Sequence, residues 1–240
     1  MKLSKYIAIT CLAWLSALAM HAQEQLPGSW NVLNVNYHLN PAVSVFAEGQ
    51  IRSLSFYSRF HYHEVKGGIN YHVHPSLRLS IAAGDYDTYR ENGNFMLPKN
   101  NDEFRIWPQV LMLQQIGGFK IEQRYRTEMR FTSTGYRNRF RYRLGVSYPF
   151  VKSKEGYYIW QAGASNELFF TDREPYFERN RSMLNLQYRI NKSVSLQIGY
   201  IHQFDYKIND ETGIDFLMLG LFLDLHKDFF NQSDFESKDN

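Results

Sequence analysis

The chain has 240 residues, with 27 Lys and Arg against 24 Asp and Glu, a formal net charge of +3 and 16% aromatic residues. So even a balance excludes the broadly basic surface of a nucleic-acid binder, and a single cysteine excludes a disulfide scaffold or a thiolate metal site. The mean hydropathy is −0.46, and no apolar run after the leader is long enough for a membrane-spanning helix.

The leader is MKLSKYIAITCLAWLSALAMHA. Lys2 and Lys5 form a positive start, Tyr6 to Met20 are mostly apolar, and Ala22 precedes Gln23 as a cleavage point. This pattern predicts a cleaved secretory signal over residues 1–22. Cys11 precedes most of the apolar stretch and follows Thr10, so a lipid-anchored cysteine is not expected. Loss of Lys2 and Lys5 takes the formal charge from +3 to about +1 and leaves no cysteine.

Eleven segments with period-two character follow, near 29–39, 42–54, 60–73, 76–88, 103–115, 118–131, 136–150, 157–170, 178–190, 193–207 and 214–227. Successive side chains of a strand point to opposite faces. In 118–131, Phe119, Ile121, Tyr125, Met129 and Phe131 oppose Lys120, Glu122, Arg124, Arg126, Glu128 and Arg130. In 136–150, Tyr136, Phe140, Tyr142, Leu144, Val146 and Tyr148 oppose Arg137, Arg139, Arg141 and Arg143. In 193–207, Val194, Leu196, Ile198, Tyr200 and Phe204 oppose Ser195, Gln197, Gly199, Gln203 and Asp205. The last segment is apolar on both faces, as suits a closing strand or one that touches a plug.

Repeated at spanning length behind an export signal, this pattern predicts an all-β fold: a closed antiparallel transmembrane β-barrel of 10–12 strands, apolar outside and charged inside. The barrel is expected over 23–228, with a polar disordered tail over 229–240. Because such barrels have even strand numbers, the eleven segments resolve to ten or twelve strands. Short turns at Asn40-Pro41, His74-Pro75, Gly117-Gly118 and Asn191-Lys192 alternate with longer links, the longest over 89–102. By analogy, short turns face the periplasm and long ones the exterior.

The inward charges are the candidate site: Arg105, Arg124, Arg126, Arg137, Arg139, Arg141, Arg143 and Arg181 with Glu48, Glu103, Glu122, Glu128 and Glu167. Arg52, Arg130, Arg189 and Glu64 share those faces. A guanidinium fork suits carboxylate and phosphate, so the lumen reads either as an anion-selective path or as a filling of paired Arg and Glu. The histidine pairs His61/His63 and His72/His74, and the single His38, His202 and His226, read as strand-end residues, since no third metal ligand is specified near either pair. No metal and no cofactor are expected. Ser80, Ser147, Ser165 and Ser195 have no histidine pinned beside them, so no catalytic residues are assigned.

The spaced Trp30…Asn34 and Glu48-x-x-x-Arg52 resemble the start of the DUF2490 proteins, an uncharacterised bacterial group. The resemblance extends through Asn101-Asp102-Glu103-Phe104-Arg105, Gln123-Arg124-Tyr125-Arg126-x-Glu128, Arg137-Asn138-Arg139-Phe140-Arg141-Tyr142-Arg143 and Glu178-Arg179-Asn180-Arg181. It covers about 29–225 and implies an outer-membrane barrel of the kind frequent in Bacteroidetes; it carries no activity with it.

The sequence therefore predicts a non-enzymatic barrel in the outer membrane of a Gram-negative bacterium. Its partners are outer-membrane lipid and, in the channel reading, a small anionic solute, with no nucleic acid. Two alternatives stand beside it. One is an outer-membrane enzyme acting on lipid or surface glycan near Asp85, Asp87 and the 89–102 link. The other is a soluble lipocalin-like barrel with an apolar interior.

Overall fold

A computed structural model of the protein describes residues 26–206 and 212–226, so the expected leader and tail lie outside the described residues. Every regular element is a strand: β1 (Gly28–His38), β2 (Val43–Ser55), β3 (Ser58–His74), β4 (Leu77–Arg90), β5 (Met96–Ile116), β6 (Phe119–Thr132), β7 (Gly135–Lys152), β8 (Tyr158–Thr171), β9 (Phe177–Arg189), β10 (Val194–Asp205) and β11 (Thr212–His226). Each strand pairs with its neighbour in sequence, and β1 pairs with β11 to close the barrel.

The expected closed barrel of 10–12 strands is found, with eleven; what is overturned is the parity argument that left only ten or twelve. Strands joined by hairpins alternate in direction, so the first and the eleventh run the same way and must meet in a parallel ladder. They do so from Gly28↔Phe216 through His38↔His226. One mouth, the N rim, therefore holds the start of β1, and the opposite C rim holds the end of β11.

The expected long link over 89–102 is also corrected. β4 continues to Arg90 and β5 begins at Met96, leaving only 91–95 between them. Asn101 and Asp102, which look like loop residues, sit opposite Thr88 and Asp87 in the ladder. Residues of low strand propensity are held there because the pairing satisfies their backbone regardless of side chain. Links at both rims are short, from two residues (56–57) to six (206–211), so the alternation of long and short connections largely disappears.

Faces follow the predicted alternation. Ile198, Leu184, Val65, Ile81, Phe140 and Leu144 are exposed on the outer surface. Glu128, Glu103, Arg139 and Arg130 are buried inside. A polar interior under an apolar exterior is the inverse of a lipocalin, so the expected apolar interior of the lipocalin-like alternative is not found.

Two apolar islands interrupt the charged interior. Trp30, Ile201, Phe216 and Met218 line the seam side, which explains the two apolar faces of β11. Tyr62, Ala82, Tyr86 and Trp107 form the second island across β3, β4 and β5. Between β3 and β4 the wall bends tightly: a Cβ on Gly68 would stand 2.4 Å from that of Ala82, and one on Gly84 would stand 2.5 Å from that of Lys66.

The parallel seam is directly testable. Leu33 and Leu221 are register partners across it, and the sole cysteine, Cys11, lies in the expected leader. A Leu33→Cys/Leu221→Cys chain without Cys11 is expected to form an intramolecular disulfide on oxidation, seen as a faster band on a non-reducing gel. Leu33→Cys/Leu217→Cys should not. Equal behaviour of the two pairs would refute the register.

Candidate functional site

The site is built on β5 to β8, where β7 turns Arg137, Arg139, Arg141 and Arg143 inward and the few carboxylates, Glu103 of β5, Glu128 of β6 and Glu167 of β8, are each shared by several guanidiniums. Glu128 on β6 is the clearest case, at 0% exposure. Arg139 donates to its Oε2 from Nε at 2.8 Å and from Nη2 at 2.5 Å, and Arg141 reaches its Oε1 at 2.5 Å. Arg126 stands 3.6 Å and Arg105 3.9 Å away. Glu167 on β8 is shared in the same way by Arg124 at 2.5 Å, Arg141 at 2.8 Å and Arg181 at 3.8 Å. Glu103 takes a fork from Arg105 at 2.7 and 3.0 Å and a second from Arg130.

Inward aromatics carry the chain of contacts where carboxylates stop. The Arg52 guanidinium lies between Trp30, at 3.4 Å, and Tyr62, at 4.1 Å. Arg105 covers Tyr86 at 3.7 Å, and Arg181 lies 4.7 Å from Trp30. Phe169, 1% exposed, is ringed by Arg141 at 4.5 Å, Arg181 at 5.0 Å, Arg139 at 5.4 Å and Arg179 at 5.7 Å. Such cation–π contacts gain strength when desolvated.

Together these contacts close a circuit around the lumen. It passes from Tyr86 to Arg105, Glu128, Arg141, Glu167, Arg181, Trp30, Arg52 and Tyr62, and the apolar cluster of Tyr62, Ala82, Tyr86 and Trp107 joins its two ends. Lys66 joins from β3, bridging Glu48 at 2.5 Å and Glu64. A cavity of about 500 Å³ lies on the C-rim side and one of about 730 Å³ on the N-rim side. Trp30, Gln50, Lys66, Arg141 and Arg181 border both, which makes their layer the waist of the lumen. The C-rim cavity is cationic, with seven Lys and Arg against Glu48, Glu122 and Glu167.

Of the sequence candidates, Arg105, Arg124, Arg126, Arg139, Arg141, Arg181, Glu103, Glu128 and Glu167 come together at this layer. Arg143 and Glu122 form a separate pair toward the C rim, each 30% exposed, and Glu48 belongs to the Lys66 group. Arg137 lies apart, in an N-rim hollow with Arg173, Glu174 and Glu178. Arg189 lines a small hollow at the C rim with Lys120 and Gln187.

Sequence reasoning passed over Glu178, which links Arg130 at 3.2 Å to Arg139 at 3.0 Å, and it passed over the inward aromatics. For the aromatics the signal was parity, since Trp107 shares the face of Glu103 and Arg105, and Phe169 that of Glu167; Glu178 has the opposite parity to Arg179 and Arg181, so alternation along β9 does not find it. Asp85 and Asp87 lie on the outer face of β4. Lys99, at 2.8 Å, and His63, at 3.3 Å, hold Asp87, and His63 Nε2 also meets the Tyr89 hydroxyl at 3.1 Å. Ser80 donates to Asn70 at 2.7 Å.

The two kinds of ion pair differ in what they contribute. Glu128→Ala leaves several buried guanidiniums short of a counter-charge and is expected to destabilise by about 3–5 kcal/mol. Glu122→Ala removes a half-solvated pair and should cost under about 1 kcal/mol. Urea unfolding of both variants in detergent checks this; similar losses would contradict the central role of Glu128.

Among proteins of curated function, none matches the chain. The family described as "Protein of unknown function (DUF2490)" matches residues 27–213, a span from before β1 to the start of β11 that takes in the whole circuit. The chain belongs to the DUF2490 family.

Proposed function

We propose that the protein is an outer-membrane β-barrel of a Gram-negative envelope, exported by a cleaved leader. Its narrow lumen admits small anionic solutes to cationic vestibules but does not pass them freely. The observation that carries this reading is the circuit through Glu128, Arg105, Arg52, Trp30, Arg181 and Arg141, which crosses the layer that borders both cavities. The excess of guanidinium over carboxylate around the C-rim cavity supports anions over cations. The apolar outer face supports lipid as its surroundings, since a closed barrel leaves no backbone group unpaired there.

This reading is non-enzymatic. On the outer face near the N rim, Asp87 is engaged by Lys99 and His63, and Asp85 accepts from the Tyr86 backbone N–H.

Two measurements test it. Ile198, 55% exposed at the middle of β10, should face acyl chains, so Ile198→Arg is expected to cost about 2–4 kcal/mol and to impair membrane assembly. Normal heat-modifiable assembly of that variant would oppose a membrane location. In planar bilayers, the refolded wild type should show no steady openings. Arg141→Ala, which removes a side chain bordering both cavities, should show small anion-preferring ones. Steady openings in the wild type would overturn the occluded waist.

A further inference from the structure

The C-rim end of the seam gathers three side chains that the sequence keeps far apart. His38 of β1 and His226 of β11 are register partners, and Asp224 lies two residues before His226 on the same inward face. Because the ladder is parallel, residues near the ends of both strands arrive at the same mouth. His38 Nε2 is 2.8 Å from Asp224 Oδ1, and the His38 and His226 rings stack with centroids 4.4 Å apart and 15° between planes. One ligand atom from each of His38, Asp224 and His226 falls within 4.8 Å of the others.

We propose that these three residues bind one divalent transition-metal ion of the zinc class, clipping the first and last strands together where the barrel closes. Two imidazoles and one carboxylate are the donors such ions take from proteins, with bonds of about 2.0–2.2 Å. Ligand atoms around such an ion lie about 3–3.5 Å apart, so the spacing is close to what an ion needs, while one of the two stacked imidazoles must turn out of the stack to aim its nitrogen at the ion. Asn36 donates from Nδ2 to Asp224 Oδ1 at 2.8 Å, orienting the carboxylate as an outer-shell partner does. Asp224 and His226 are exposed at the mouth, which gives the ion a way in. Three protein ligands leave a fourth position open to water or to a lumenal solute. His72, whose ring centroid is 5.8 Å from that of His38, stands beside the cluster while its Nε2 contacts Ser44 Oγ at 3.2 Å.

Calorimetric titration of ZnCl2 into the refolded full barrel in detergent tests the site, alongside the melting temperature with and without zinc. The wild type should bind one ion per chain and melt at a higher temperature in its presence. His226→Ala and Asp224→Asn should abolish both effects, and Asn36→Ala should weaken binding by about 10–100-fold. His202→Ala, altering a histidine that bonds Asp215 near the other rim, should bind as the wild type does. Absence of saturable binding in a sample with a barrel circular-dichroism spectrum would overturn the proposal. So would unchanged affinity in folded Asp224→Asn.

Discussion

The constraint on which the molecule depends is that charges packed inside a barrel must neutralise one another, because its apolar outer surface offers them nothing. Isolated ions in such a place are prohibitive, and a buried pair is stable only when its hydrogen bonds are saturated. The chain meets this by sharing. Glu128 and Glu167 each stand among three or more arginines, so the loss of either carboxylate disturbs a whole group of partners. Arginine is suited to this arrangement, since one planar fork can bond two acids along its edge while its face lies on a ring. Arg141 does both, joining Glu128 to Glu167 over Phe169.

The aromatic members of the circuit have a second effect. Trp30 and Phe169 occupy volume that paired Arg and Glu would leave to water, and they let guanidinium groups approach without a carboxylate between them. The seam side of the lumen is correspondingly apolar, with Ile201, Phe216 and Met218, while β5 to β9 carry most of the charge. The interior is thus polarised across its width as well as divided along its length.

Much of the architecture is legible in the chain because period-two alternation is a property of single strands. All eleven segments emerge from it, with ends within a few residues of those observed except at β5, where Pro98 and the asparagines around it conceal the start. Which charge meets which is not legible, since that depends on register between strands: Glu167 meets Arg124 across β7, and no pattern along β6 or β8 announces it. Strand parity was read wrongly for a different reason. An even count reflects a common habit of bacterial barrels, whereas the geometry of closure accepts any number if one ladder is parallel. The cluster of His38, Asp224 and His226 was hidden for the same cause, as only that parallel ladder brings the two strand ends to one mouth.

The odd number of strands gives the barrel a polarity that an even-stranded one lacks. β1 begins at one mouth and β11 ends at the other, so the polypeptide as a whole traverses the wall a net single time. Gly28 and His226 accordingly stand at opposite mouths. An even-stranded barrel would instead return its last strand to the mouth from which the first set out.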